Sequence, residues 1–357
     1  MTGEPDHHSS STPEQSAESL SAAEAERAAA EETRTLLTPR KIATQLLGFA
    51  VGIALLAWCI YGAIEGGDTE KGPSAWQRIA DANWWLIAGL MGCTLVSLAA
   101  NGAIFWIVMR PVKPLRLTDL ELVNLAVSIL NYAPIKIGLI ARIAYHLRVD
   151  RVPLLHLAGW FAAIVFTLAL AAGSAILATL VSPEVDLLWV ALLVAQLLLG
   201  GLLIRALMTQ AFVVRIGRGM HRMLSHPSAL WGAIGLRLID LGAFTGRVAC
   251  AAAILQLDFS PRDILLVGFA TLVLTFNPIG RVGIREAGVA IVASMISSAQ
   301  LSISELDSQM QQLALLDSAG EALIIIPFGI VGVLWYRKAW RRATIERQAG
   351  EQNNAEV

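Results

Sequence analysis

The chain has 357 residues, of which 55% are apolar and only 15% are charged, and its formal net charge is −1. Because an average soluble domain is about a quarter charged, this composition excludes an ordinary soluble enzyme and predicts an all-α bundle of membrane-spanning helices. The net charge is too close to zero to indicate a partner, and no nucleic-acid partner is expected. The three cysteines fit no metal-binding spacing, so neither a metal site nor a cofactor is predicted.

The N-terminal residues are polar. Residues 1–33 contain eight acidic residues and one basic residue. A segment of this composition has too few apolar residues to build a core, which predicts a disordered acidic cytoplasmic tail over residues 1–40. No signal peptide is expected, because the first apolar run begins only near Ile42. A polar cytoplasmic tail is also predicted at the other end, over residues 341–357.

Residues 41–340 form the predicted transmembrane domain. About 20 apolar residues are enough to cross about 30 Å of hydrocarbon. Apolar runs occur at 42–63, 84–109, 154–181, 187–208, 230–256, 263–278 and 312–335, the sixth of which is marginal in length. Two further stretches, 119–150 and 279–299, are apolar but interrupted by proline, glycine and charge. These patterns predict about eight spans, with 119–150 entering and returning on the cytoplasmic side as a broken, re-entrant hairpin and 279–299 crossing outward.

The distribution of lysine and arginine predicts the orientation. Nineteen of these residues lie in segments assigned to the inner side and three in segments assigned to the outer side. Basic loop residues accumulate on the cytoplasmic side of membrane proteins. Both termini are therefore predicted to be cytoplasmic, in a multi-pass protein of a bacterial inner (plasma) membrane.

The two interrupted stretches resemble each other. Aligning LVNLAVSILNYAPIKIG (122–138) with LVGFATLVLTFNPIGRVG (266–283) matches six residues, including Pro134 with Pro278. Three predicted spans separate the copies, so they would enter from opposite faces of the bilayer. Paired segments of this kind are typical of transporters built from an inverted repeat, with the binding site near the midplane. Chance matching of apolar sequence is the alternative.

Each interrupted stretch predicts a polar interior. Proline removes a backbone donor, and in hydrocarbon such a break is tolerated only where protein or water satisfies the freed groups. Where a helix restarts, its unpaired N–H groups favour an anion. The predicted binding residues for an anionic lipid headgroup are Asn131, Pro134, Lys136, Gly138 and Arg142 at the first break, and Asn277, Pro278, Gly283, Arg285 and Glu286 at the second. The alternative is that the basic residues serve only to fix the orientation.

Five further charges lie within predicted spans. Arg237, Asp240 and Arg247 fall within one face of a helix, and Asp317 and Glu321 are four residues apart on the last span. Charges at this depth face the bundle interior and pair with one another or line a pathway. We therefore predict an intramembrane charge network, in which the arginines either neutralise the acids of another helix or line the route of a headgroup.

The motifs at the two breaks resemble a known family. N-x-x-P-x-x-x-G-x-x-x-R at residues 131–142, followed by P-x-x-x-x-G-x-R-E at residues 278–286, is similar to the lysylphosphatidylglycerol synthase transmembrane-region family over about residues 40–340. This family includes the flippase part of the bacterial lysyl-phospholipid synthase/flippase and stand-alone hopanoid-associated membrane proteins. The chain departs from the family pattern at Leu139, where a glutamate is frequent, and at Arg281 and Val282, where a glycine pair is frequent.

The resemblance implies a helical bundle with re-entrant segments that handles or translocates a lipid headgroup, as a flippase or transporter does. Its expected partner is a membrane phospholipid or another lipid. It does not imply synthase activity, since no residues remain to form the soluble aminoacyl-transfer domain, and an enzyme is not expected. The alternative is a membrane-embedded transferase, or a lipid-presenting partner of a lipid-biosynthetic enzyme, in glycolipid or hopanoid synthesis.

Overall fold

The computed structural model describes residues 39–65, 75–133, 137–182, 184–216, 219–275, 283–297 and 303–355. These residues form helices and no strand, which confirms the all-α class. The predicted disordered tail lies almost wholly outside them. The helices are α1 (Pro39–Glu65), α2 (Ala75–Ala80), α3 (Trp84–Met109), α4 (Leu117–Leu130), α5 (Ile137–Arg148), α6 (Leu154–Val181), α7 (Leu187–Met208), α8 (Ala211–Ile216), α9 (Met220–Ser225), α10 (Pro227–Ile254), α11 (Pro261–Thr275), α12 (Ile284–Ser297) and α13 (Ile303–Ala355).

Four of the described helices, α3, α6, α7 and α13, are long and apolar enough to cross a membrane. They indicate a membrane protein. Helix α10 has a similar length, 28 residues, but carries three charged residues, and the apolar part of α1 is confined to Ala50–Tyr61. These two helices account for part of the difference between four candidates and the predicted eight spans, and the larger number stays a prediction.

Helices α3 and α10 pack against each other in an antiparallel arrangement at the centre of the bundle. Cys93 lies against Gly246, where an added Cβ would be 3.0 Å from the cysteine sulfur, and Ile107 lies against Gly232. As residue numbers rise along α3, those of the facing residues on α10 fall. Small residues at such contacts let two helices approach closely within a membrane.

The first broken pair, α4 and α5, begins after the C-terminal end of α3. The two helices have 14 and 12 residues, which corresponds to about 21 and 18 Å, so each is shorter than the hydrocarbon core of about 30 Å. Lys113, which precedes α4, donates a hydrogen bond to the carbonyl of Asp150, which follows α5. The pair therefore returns to the side on which it began, which is the path predicted for residues 119–150.

The second broken pair, α11 and α12, begins after the C-terminal end of α10, and its two helices contact each other. Since α3 and α10 are antiparallel, the two broken pairs start at opposite ends of the central helices. The predicted restarts near Gly138 and Gly283 are confirmed, because α5 begins at Ile137 and α12 at Ile284.

Helix α13 is the longest element, with 53 residues, or about 80 Å. It packs closely on α4, where an added Cβ at Gly332 would lie 2.5 Å from the backbone nitrogen of Ala126. It also contacts α12, α3 and α1. Residues 341–355, predicted as a polar tail, continue this helix without a break.

Candidate functional site

Charged side chains are buried in three groups within the described bundle. Burial of a charge is costly unless the charge is paired and hydrogen-bonded, so the partners of each group indicate what it does. We call them the first-break site (Glu121, Asn124 and Arg142), the mid-helix pair (Arg237 and Asp240, with Ser97) and the second-break cluster (Arg247, Arg285, Glu286, Asp317 and Glu321).

The second-break cluster is built around Asp317. The guanidinium of Arg247 on α10 donates to it through two nitrogens, with Nε–Oδ1 and Nη2–Oδ2 distances of 2.5 and 3.0 Å. The Nη1 atom of Arg247 lies 3.3 Å from Oε2 of Glu321. A bidentate ion pair of this kind fixes the relative orientation of the two side chains as well as neutralising their charges. It joins α10 to α13.

Arg285 engages the same two carboxylates from the other side. Its guanidinium donates to Oδ2 of Asp317 and to Oε2 of Glu321. Asp317 and Glu321 are one helical turn apart on α13, as their spacing predicts, and both face the two arginines. The two arginines, on α10 and α12, are therefore both paired with the two carboxylates of α13.

Glu286 caps the N-terminal end of α12. Its Oε2 atom accepts a hydrogen bond of 2.6 Å from the backbone N–H of Gly283, and its Oε1 atom accepts one of 2.6 Å from the Ser318 hydroxyl. This is half of a capping box, in which a glutamate three residues into the helix satisfies a free backbone donor. Gly283 has a φ of +82° and its backbone lies against Gly52 of α1, leaving no room for a Cβ.

The mid-helix pair lies on α10, facing α3. Nη1 of Arg237 is 3.1 Å from Oδ2 of Asp240, and the Ser97 hydroxyl donates to Oδ1 of Asp240 over 2.6 Å. Each oxygen of this buried carboxylate therefore has a donor. Ser97 was not identified from the sequence, since a single serine in an apolar run gives no sign of its partner.

Arg142 in the first-break site has a different environment. Only 4% of the residue is exposed. Its Nη2 atom donates to Oδ1 of Asn124 over 2.6 Å, and the guanidinium carbon is 3.8 Å from the centre of the Phe105 ring. Asn124 is fixed in turn, because its Nδ2 donates to the Leu98 carbonyl over 2.9 Å.

Arg142 also differs from the other buried arginines in its charge balance. Arg237, Arg247 and Arg285 each lie within 4.0 Å of at least one carboxylate. Among the residues that the structure describes, Arg142 has no carboxylate at this distance. The first-break site therefore holds a buried cation without an ion-pair partner.

Glu121 is the acidic residue that acts electrostatically on Arg142. It is half-buried on α4, and its carboxylate packs against Gly102 of α3, where a side chain would overlap it. It attracts Arg142 electrostatically, but neither a hydrogen bond nor an ion pair connects it to any described residue. The sequence contained a signal for this site, since Glu121 and Asn124 are three residues apart and share a face of α4.

Of the other residues predicted for the first break, the structure describes Asn131 and Gly138. Gly138 is one turn before Arg142 on α5, and an added Cβ there would meet the side chain of Asn131 and, at 2.6 Å, the Val127 carbonyl. Leu139, where the resembled family often has glutamate, is 41% exposed. The predicted residues outside the described segments are Pro134, Lys136, Asn277 and Pro278.

The two breaks thus have complementary chemistry, one closed by its own charges and one with an unmatched cation. Within the described segments, no three His, Cys, Asp or Glu side chains are grouped as metal ligands would be. No family model matches this chain, and no curated protein or solved structure matches it either.

Proposed function

We propose that this protein is a lipid-headgroup transporter of the flippase type, which binds the anionic part of a headgroup at Arg142 during its passage across the membrane. The observation that carries the proposal is the guanidinium of Arg142, which is buried in the helix that follows the first break and has no carboxylate within 4.0 Å among the described residues. This assigns the binding step to the first break.

The cost of burying a charge is the physical argument for an external anion. The effective penalty for an ion inside a protein is several kcal/mol, and it is recovered only with a partner and further hydrogen bonds. Asn124 supplies one neutral acceptor for Arg142. A phosphate or carboxylate supplies the missing charge, and arginine binds both through paired N–H donors.

The contact pattern of the helices supports the inverted repeat, which forms part of the proposal. In the unit α3–α6, the first helix contacts the second and fourth, the second contacts the third, and the third contacts the fourth; the unit α10–α13 has the same four contacts. The contact of α3 with α13 is matched by α10 with α6, and that of α4 with α13 by α11 with α6. The antiparallel packing of α3 on α10 gives the two units opposite directions.

Within this proposal the second-break cluster holds the bundle together while the first break opens and closes. Arg285 and Glu286 are bonded to α13, so they join the second break to the longest helix. Their predicted contact with a headgroup stays a prediction, since both side chains are bonded within the protein.

The cellular setting is also part of the proposal. We place the protein in a bacterial inner membrane with both termini in the cytoplasm, and we retain the similarity to the lysylphosphatidylglycerol synthase transmembrane region as a hypothesis about its ancestry. A reporter fused after Gly72 should be found outside and one fused after Arg218 inside. The reverse result would contradict the orientation.

Transport is tested with purified protein in liposomes that contain phospholipids labelled on the acyl chain. We expect the label to cross the bilayer, and we expect Arg142→Gln to slow it at least about tenfold, the effect of 1.4 kcal/mol. The matched control is Arg148→Gln, an exposed arginine on the same helix whose guanidinium bonds Thr344. Equal rates for Arg142→Gln and the unmodified protein would contradict the assignment, and a lipid chemically altered instead of moved would favour the transferase alternative.

A further inference from the structure

We infer that the headgroup bound at the first-break site is a zwitterion, with its phosphate at Arg142 and its ammonium group at Glu121. This inference rests on the proposed function and deepens it, because it assigns a chemical class to the lipid. The class is a phospholipid with a single amine close to the phosphodiester, of which phosphatidylethanolamine is the simplest.

The first step is that the two charges of the site are kept apart. Glu121 and Arg142 attract each other, yet Arg142 donates to the Asn124 amide instead of to the carboxylate. A carboxyl group and a guanidinium in one site, neither of them in an ion pair with a described residue, can each take a partner from a ligand.

The second step is the spacing of the charges. The carboxylate of Glu121 packs on Gly102, and the guanidinium of Arg142 packs on the ring of Phe105, three residues further along α3. Three residues of helix rise by roughly 5 Å. The two groups therefore lie against neighbouring turns of α3, where one small headgroup can contact both.

The third step is the sign of the charges. A purely anionic headgroup would satisfy Arg142 but would lie beside the carboxylate of Glu121, and like charges in such a site are a means of rejecting the wrong ligand. A headgroup with a primary amine donates N–H bonds to that carboxylate, which when ionised only accepts them. One guanidinium and one carboxylate therefore match a headgroup of zero net charge.

The burial of the site bears on how such a headgroup reaches it. With 4% of Arg142 exposed, the site is in an occluded arrangement, and the headgroup is admitted when α4 and α5 separate. The two helices contact each other through Asn131 and Gly138.

The test compares two acyl-labelled lipids, phosphatidylethanolamine and phosphatidylglycerol, in the same liposomes. The unmodified protein should move the zwitterion at least about tenfold faster than the anion. The isosteric variant Glu121→Gln removes the charge and should abolish this preference, by slowing the zwitterion and not the anion. The control Asp119→Asn, on the same helix, should keep the preference, and size-exclusion profiles establish that each variant is folded.

The outcomes separate this inference from the proposed function. If both lipids move equally fast and Glu121→Gln changes neither rate, the amine site is wrong while headgroup transport stands. If the unmodified protein neither moves these lipids nor binds them in detergent, the proposed function fails and the zwitterion assignment fails with it. If Glu121→Gln still moves the zwitterion faster than the anion, Glu121 does not bind the amine. The inference is then overturned, while headgroup transport stands.

Discussion

The two breaks of this bundle share a sequence pattern but differ in how their arginines are satisfied. Each has a helix, an interruption and a second helix that carries a buried arginine. At the second break, Arg285 is bonded to carboxylates of α13; at the first, Arg142 has an amide and an aromatic ring. A shared motif therefore does not imply a shared role, because the role depends on the partners that the fold supplies.

The difference originates in the helices that pack against each break. Helix α13 brings Asp317 and Glu321 to the second break, more than 30 residues along the chain from Arg285. The first break is covered by α3, which offers Gly102 and Phe105 and no acid at the guanidinium. The arginines of the second break are thus paired with carboxylates of the protein, whereas Arg142 has no carboxylate within 4.0 Å among the described residues.

The largest expected effect on the free energy of unfolding comes from disrupting the second-break cluster. Asp317→Asn leaves both Arg247 and Arg285 short of a charged partner, and removing one member of a buried ion pair costs about 3–5 kcal/mol. We expect a loss of this size in the free energy of unfolding, measured in detergent. The control Asp258→Asn, at an exposed acid, should change it little, and equal stability of the two variants would show that the cluster does not hold the bundle together.

The next largest effect on stability is expected from a change in the backbone of the second break, at Gly283. Gly283→Ala forces a side chain onto a residue with positive φ that lies against Gly52, and backbone strain of this kind costs about 1–3 kcal/mol. We expect a loss at the upper end of this range. Gly235→Ala is the control, because a Cβ there meets nothing within 4 Å. A Gly283→Ala variant as stable as Gly235→Ala would contradict the close approach of α1 to the restart of α12.

The smallest effect on stability is expected at the first break, where it can be compared with the large effect of Asp317→Asn. Arg142→Met removes a buried cation that has no carboxylate partner, so the lost contacts with Asn124 and Phe105 are offset by the relief of burying the charge. The free energy of unfolding should change by less than about 1 kcal/mol, although lipid binding is lost. A loss as large as that of Asp317→Asn would show that Arg142 is structural.

Much of this arrangement was predictable from single residues, and the rest depended on tertiary contacts. Charge within apolar runs identified Arg237, Arg247 and Asp317, and proline with glycine located the restart at Gly283. The choice of partners was not predictable, because Glu121 reaches the first-break site from a different helix from Arg142. The suspected family resemblance drew attention instead to Leu139, which is exposed.

The most direct test of the account is the binding of an acyl-labelled phospholipid to the detergent-purified protein, compared for the unmodified chain, Arg142→Gln and Arg148→Gln. The account predicts that Arg142→Gln weakens binding at least about tenfold while its thermal unfolding stays close to that of the unmodified protein, and that Arg148→Gln changes neither. Unchanged lipid binding by a folded Arg142→Gln protein would contradict the claim that the first break is the headgroup site.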